Sequence, residues 1–293
     1  MNFHKIPRVS ATAAAYPSPF ARLQTIHMPL LELDQVVYKG LSLTTHEKSG
    51  ALHMQRTKIE LEQELARIQE EYKRRAVCQA LTERYSLFNE ATLLQAQDLE
   101  RNLLTLLKKH GFTHLADKKI LDVGCGSGSH LQRFTIYGAK PANLSGIDLM
   151  TDRIEQAQHL NPTIDWRVGS AHQLPYPDAS FDLVVLFVVF SSILNKSLRQ
   201  DIADEIWRVR KLGGLIFCYD FAFSNPRNPA VEGISRQQIQ QLFKRPGAQF
   251  DFRRVILAPP ISRLITPRAH WLASTLEHLK IFNTHLVSII SLD

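Results

Sequence analysis

The residues with the clearest chemistry form one short run, Asp122-Val123-Gly124-Cys125-Gly126-Ser127-Gly128, set between an apolar stretch from Ile120 and a helical pattern near His130. Its glycines let a ligand approach the backbone closely and supply φ values that a Cβ would penalise. About 20 residues further on, Gly146-Ile147-Asp148 ends a second apolar run, where a carboxylate can accept hydrogen bonds from both ribose hydroxyls of an adenosine. The other use for Asp148 is electrostatic, ahead of a helix that starts near Thr151 and Asp152. Dinucleotide sites favour GxGxxG, because a helix N-terminus must meet a pyrophosphate. Here the glycines follow as GxGxG and an acid precedes them directly. That acid suits the cationic ammonium and sulfonium of S-adenosylmethionine (SAM) better than a phosphate.

The elements that must position these groups alternate along the chain. Strands are predicted at Lys119–Val123, Leu144–Ile147, Ile164–Val168, Leu183–Phe187 and Leu215–Phe221, with helices near His130–Tyr137, Asp152–His159, Leu198–Lys211 and Arg236–Phe243. Such alternation predicts a parallel sheet with helices on both faces. Phe250–Leu257 and Thr284–Leu292 read as two further strands around a helix near His270–Leu279. Upstream, Leu61, Leu65, Ile68 and Tyr72 form an i, i+4, i+7, i+11 stripe, and Glu70/Arg74 and Glu71/Arg75 are favourably ordered pairs. A second helix is expected over Leu93–His110, with Gly111 beyond its C-terminus. The expected division is residues 1–53 an extension without structure, 54–114 a helical preface covering an edge or mouth of the sheet, and 115–293 the main domain.

The chain has 293 residues and a formal charge of +7. The stretch from Ile206 onward holds twelve Lys/Arg against five Asp/Glu, so the positive excess lies there. A basic C-terminal part suits an anionic acceptor, an anionic membrane surface or nucleic acid, or serves only as a solubilising surface. Cys78, Cys125 and Cys218 have neither zinc spacing nor a disulfide pattern, which points to a reducing, cytoplasmic setting and to no metal. No run of about 18 apolar residues predicts a membrane-spanning helix.

The run Asp122–Gly128 resembles the first motif of class I SAM-dependent methyltransferases. Gly169-Ser170-Ala171-His172-Gln173-Leu174-Pro175 leading into Ser180-Phe181-Asp182, and Arg208-Val209-Arg210-Lys211-Leu212-Gly213-Gly214, resemble later motifs of that family in the same order. The resemblance spans roughly residues 115–222. It implies a seven-stranded Rossmann-like α/β sheet with its last strand antiparallel, and SAM as the cofactor. By that resemblance Asp122 meets the donor's amino group directly or through water, Gly124, Cys125, Gly126 and Gly128 carry its methionine end, and Asp148 holds the ribose. Leu149 or Met150 packs on the adenine, whose edge meets Ser170 and Ala171; Phe187 completes the cofactor set. The family usually has Asp where Ser170 stands, so one charge-assisted bond is missing.

Methyl transfer from a sulfonium needs mainly proximity and orientation, with a base only when the acceptor must lose a proton. Groups beyond the carboxyl ends of the strands are placed for that role. His172 and Asp220 are the candidates. His172 could equally be a loop histidine beside the adenine, and Asp220 a turn cap. The segment Asp220–Pro229, with Leu257-Ala258-Pro259-Pro260, resembles a bacterial methyltransferase subfamily associated with glycan assembly. That resemblance implies O-methylation of a small molecule or glycan intermediate, with Arg227 able to bind an anion. The alternatives are an RNA methyltransferase, disfavoured because no separate RNA-binding module is present, and a non-catalytic SAM-binding protein on a membrane. For the last, Arg263 and Arg268 among the apolar residues of Ile261–Leu279 suit peripheral contact with an anionic membrane.

Overall fold

The computed structural model describes residues 45–77, 85–226 and 228–292, with side chains from residue 58. The expected extension before residue 45 and Arg227 lie outside the described residues. The chain divides into two units, Met1–Ala51 and Leu52–Asp293, the second of which contains the sheet. The strands are β1 (Ile120–Val123), β2 (Leu144–Asp148), β3 (Asp165–Val168), β4 (Phe181–Phe187), β5 (Arg210–Phe221), β6 (Ala248–Leu257) and β7 (Asn283–Leu292). They pair in the order β3-β2-β1-β4-β5-β7-β6. β1 to β5 are mutually parallel, and β7 runs antiparallel to both β5 and β6. The strand order reverses between β1 and β4, and in such sheets ligands bind in the crevice beyond the carboxyl ends at that point.

Helices cover both faces, which is why β1 and β4 read as nearly continuous apolar runs. On one face α2 (Glu90–Lys109), α3 (Ser129–Ile136) and α4 (Thr151–Leu160) bury Leu106, Leu131, Phe134 and Ile154 against Ile120, Leu183, Val185 and Phe217. On the other, α5 (Lys196–Val209) and α6 (Arg236–Leu242) bury Ile202, Ile206 and Ile239 against Leu121, Val123, Val184 and Ile216. α2 starts at Glu90 rather than Leu93, because the Asn89 side chain accepts from the Ala91 and Thr92 amides and caps it. Gly111 lies past its end at φ +80°, as expected of a C′ glycine. α5 stops at Val209, short of the expected Lys211, because Arg210 already pairs with Phe181 in the sheet. Among the described residues, no helix is long and apolar enough to cross a membrane.

The predicted stripe lies on α1 (Thr45–Ala76), whose Leu61, Leu65, Ile68 and Tyr72 pack against the second face. Glu71 takes both neighbouring guanidiniums, Arg74 at 2.8 Å and Arg75 at 2.7 Å. The helix is fixed to the loop after β4 by polar contacts as well. Glu64 accepts from the Leu194 and Asn195 amides and from Arg67 Nε at 2.7 Å, while Arg67 donates to the Ser192 carbonyl at 2.7 Å. Burial pushes the Glu64 carboxyl up, but the bonds from Arg67 and the two amides outweigh it and hold the group below its ordinary range. Glu64→Ala leaves two amides and a guanidinium without their acceptor, so it should cost roughly 1–3 kcal/mol. Urea unfolding of both proteins at pH 7 checks this. The difference should shrink as pH falls through the range where Glu64 protonates, because a depressed carboxyl stabilises only while ionised.

Candidate functional site

At the carboxyl ends of β1, β2 and β4 lies a cavity that opens to solvent. Gly124, Asp148, Leu149, Met150, Ser170 and Ala171 form one side of it. Val188, Val189, Ile193 and Ile202 form another, and Leu65, Ile68 and Tyr72 of α1 supply a third. Gly124 is required here: a Cβ on it would sit 2.8 Å from Val189 Cγ2, and its φ is +72°. Gly128, at φ +81°, has the Trp166 ring 2.3 Å from where a Cβ would be. Val188 is a β-branched residue at φ +59°, a conformation that such residues rarely adopt. Strain of this kind costs about 1–3 kcal/mol and persists only where the surroundings impose it. The Val188 amide is held by the Tyr219 carbonyl at 2.7 Å.

Two carboxylates govern the glycine turn. Asp148 accepts from the Gly126 amide and from the Met150 amide, each at 2.9 Å, so it joins the turn after β1 to the end of β2. Asp148 lies on the cavity wall and also fixes the backbone ahead of α4. Asp122 is buried, and neither of its carboxylate oxygens has a hydrogen-bond partner. Burial, and then the nearby charge of Asp148, push its carboxyl well above the ordinary carboxylate range. A cation beside it would favour its ionised form, whereas a phosphate would push it higher still. The donor set fits SAM: an unpaired acid for the cationic end, buried before the glycine turn and off the cavity wall, a carboxylate with spare lone pairs on that wall for the ribose, and apolar walls for the adenine.

The remaining predicted residues fall in different places. Cys125 packs into the first-face core, and burial pushes its thiol up, so it is a small space-filling residue. Gly126 and Gly128 shape the turn, but neither is on the cavity wall. Phe187 corrects the expectation. It shares the strand face of Leu183 and Val185 and stacks on His130 with centroids 4.0 Å apart, away from that cavity. His172 is not on the wall either; its Nδ1 is 2.6 Å from Ser170 Oγ, so it orients the hydroxyl that stands where the family has Asp. Asp220 is fully buried, accepting from the Ser191 amide at 3.1 Å and the Phe221 amide at 2.9 Å, and thus caps the Phe190–Ser192 turn. It is not on the wall of that cavity.

Residues that the sequence reading missed are Tyr72 and Arg153. The Arg153 guanidinium lies 4.5 Å from the Tyr72 ring centroid, and Tyr72 Oη is 3.1 Å from Ser192 Oγ. The helical stripe signalled that Tyr72 faces inward; nothing local to Arg153 marked it. A second cleft of about 350 Å³ lies on the first face, lined by Leu99, Glu100, Leu103, His130, Arg133 and Phe187. Burial, and then the charge of Arg133, push the His130 imidazole down to about 4, so it is neutral at pH 7. Tyr219 and His285 continue the aromatic surface from Phe187, with the Tyr219 and His285 rings stacked at 5.2 Å.

Residues 121–218 match the family model described as a methyltransferase domain. Over 136 residues the chain is 32% identical to phthiotriol/phenolphthiotriol dimycocerosates methyltransferase 1 of Mycobacterium ulcerans, covering 45% of this chain and 48% of that protein. It is 29% identical over 111 residues to a ubiquinone/menaquinone biosynthesis C-methyltransferase of Ruegeria sp., covering 36% and 43% respectively. The chain thus spans about half the length of the curated relatives it matches. A solved structure from Galdieria sulphuraria, assigned as a sarcosine dimethylglycine methyltransferase, shares the fold with a TM-score of 0.50 at 15% identity, covering 66% of this chain and 84% of that one.

Two outcomes follow for the buried acids. A carboxyl whose folded pKa is raised binds more protons folded than unfolded, so its contribution to stability falls as pH rises between the two values. Asp122→Asn should therefore stabilise the ligand-free protein, and more at pH 8 than at pH 5, as read by thermal melting. Burial pushes Asp220 up to about 6. Its ionisation should remove up to about 3 kcal/mol between roughly pH 4 and 6. The drop in urea midpoint across that range should be smaller in Asp220→Asn.

Proposed function

We propose that this chain, which carries a class I SAM-dependent methyltransferase domain, catalyses methyl transfer from SAM to a small-molecule acceptor, at oxygen. The observation that carries the donor half of this reading is Asp122, a buried acid with both oxygens unpartnered immediately before the glycine turn. SAM supplies an activated methyl group on a sulfonium when bound. The work left to the chain is to bind, orient and exclude water. Asp122 and Asp148 hold the two polar ends of the donor. Leu149, Met150 and Ala171 flank the adenine, and the Ser170 hydroxyl, oriented by His172, accepts from its edge. Tyr72 and the α1 stripe close one side of the cavity.

The acceptor is the finer part of the proposal. The resemblance in sequence suggested a small molecule or a glycan intermediate; the apolar part of the cavity wall, Val189, Ile193, Leu198 and Ile202, favours an acceptor with an apolar body. A glycan is better met by many hydrogen-bonding groups. The relatives' names point the same way, since dimycocerosates and quinones are apolar. Replacement of Asp148 by Asn should lower SAM affinity about 10- to 100-fold, the value of one or two hydrogen bonds to a charged group. Calorimetric titration checks this, and circular dichroism checks that the fold is kept. Incubation of the wild-type protein with SAM and a panel of phenols, quinols, hydroxylated lipids and nucleotide sugars should give a methylated product from the apolar members. Methylation confined to the nucleotide sugars would restore the glycan reading.

A further inference from the structure

Between β6 and β7 the chain leaves the sheet for two short helices, α7 (Pro259–Ile265) and α8 (His270–Leu279). Their inner side is tied down. Ala273 is buried with Leu94 and Leu257, and Glu277, also buried, pairs with Arg101 at 2.9 Å. Ala273 and Glu277 are four residues apart and share one helix face. Trp271, Thr275 and Leu279 follow the i, i+4, i+8 line on the other face. That outer face is apolar without being covered. Trp271 and Ile281 are each 72% exposed, Leu264 65% and Leu279 58%, and Phe282 is half exposed beside them.

Within this segment the exposed charges have one sign. Over residues 258–282 the cations are Arg263, Arg268 and Lys280, and the sole acid is the buried Glu277. Among the described residues, none of the three cations makes an ion pair; Arg268 donates to the Leu264 carbonyl. A solubilising surface would intersperse both signs and few large apolar groups. Exposed Trp, Leu, Ile and Phe with cations alongside match what an interfacial helix presents: apolar side chains for the acyl boundary and cations for lipid headgroups.

We propose that the α7–α8 excursion is a docking surface for an anionic lipid bilayer, with Trp271, Leu279, Ile281 and Phe282 entering the headgroup boundary and Arg263, Arg268 and Lys280 contacting acidic lipids. The helices lie on the membrane and do not cross it. This stands independently of the methyl-transfer reading, since it rests on none of the cofactor residues.

The test is flotation of the full chain with vesicles of equal phosphatidylglycerol and phosphatidylcholine, against phosphatidylcholine alone. Binding should be at least roughly tenfold tighter to the anionic vesicles and should weaken with salt, since each cation at such a surface is worth about fivefold. Trp271→Ser with Ile281→Ser, and separately Arg268→Glu with Lys280→Glu, should each reduce flotation about tenfold or more while SAM binding by calorimetry stays unchanged. A second reading needs no variant. Brominated lipids should quench tryptophan emission, because Trp166 and Trp207 are buried in the fold and Trp271 is exposed. Failure of the wild-type protein to float with anionic vesicles overturns the proposal. So does a dimer in light scattering that the Trp271→Ser, Ile281→Ser variant turns into a monomer, which would make this face a contact between copies. Loss of SAM binding in the wild-type protein with flotation intact would instead count against the donor assignment alone.

Discussion

A buried carboxylate without a partner is expensive, and Asp122 is one, with a second carboxylate close enough to push it further toward the neutral form. Much of the site depends on keeping these two acids side by side. Asp148 is the stable member, because the Gly126 and Met150 amides neutralise part of its charge. Those same two bonds hold the glycine turn against the end of β2. The turn therefore presents its backbone, and the unsatisfied Asp122, through those two bonds. A ligand with a cationic end and a vicinal diol relieves both acids together, which is the chemical basis for preferring SAM over a dinucleotide.

The rest of the architecture serves that pair. The parallel strands end together at the point where their order reverses, and the twist in the chain at Val188 turns the segment after β4 across the cavity mouth. α1 then closes the opposite side, held by Glu64 and Arg67 to the Ser192–Asn195 backbone and by Tyr72 to Ser192. Asp220 and His172 belong to the same supporting layer. One caps the turn that carries Ser191 and Ser192, and the other orients Ser170. The helices between β6 and β7 stand apart from this arrangement, anchored by Ala273 and Glu277 but apolar on the outside.

The strands were legible because buried parallel strands are runs of Val, Ile and Leu that no surface helix would carry. The glycine turn and Asp148 were legible because their spacing follows from the strand-turn-helix geometry. Helix ends were read less well: Asn89 moved the start of α2, and pairing of Arg210 with Phe181 ended α5, and both depend on contacts of single residues. His172 and Asp220 were chosen for their positions at strand ends, but position does not say where a side chain points. Phe187 could have been placed correctly, since it alternates with Leu183 and Val185 and so had to face the first layer of helices. Tyr72 is different in kind. Its contact with Ser192 joins residues 120 apart, and no local pattern encodes such a partner.

The most direct test is calorimetric titration of SAM into the ligand-free protein in buffers of different ionisation heat. Burial holds the Asp122 carboxyl well above its ordinary range and an arriving cation lowers it, so binding should release protons and tighten as pH rises through that interval. The released fraction should vanish in Asp122→Asn. Binding with no proton release, or release unchanged in Asp122→Asn, would contradict the role given to Asp122, and no binding at millimolar SAM would contradict the site itself.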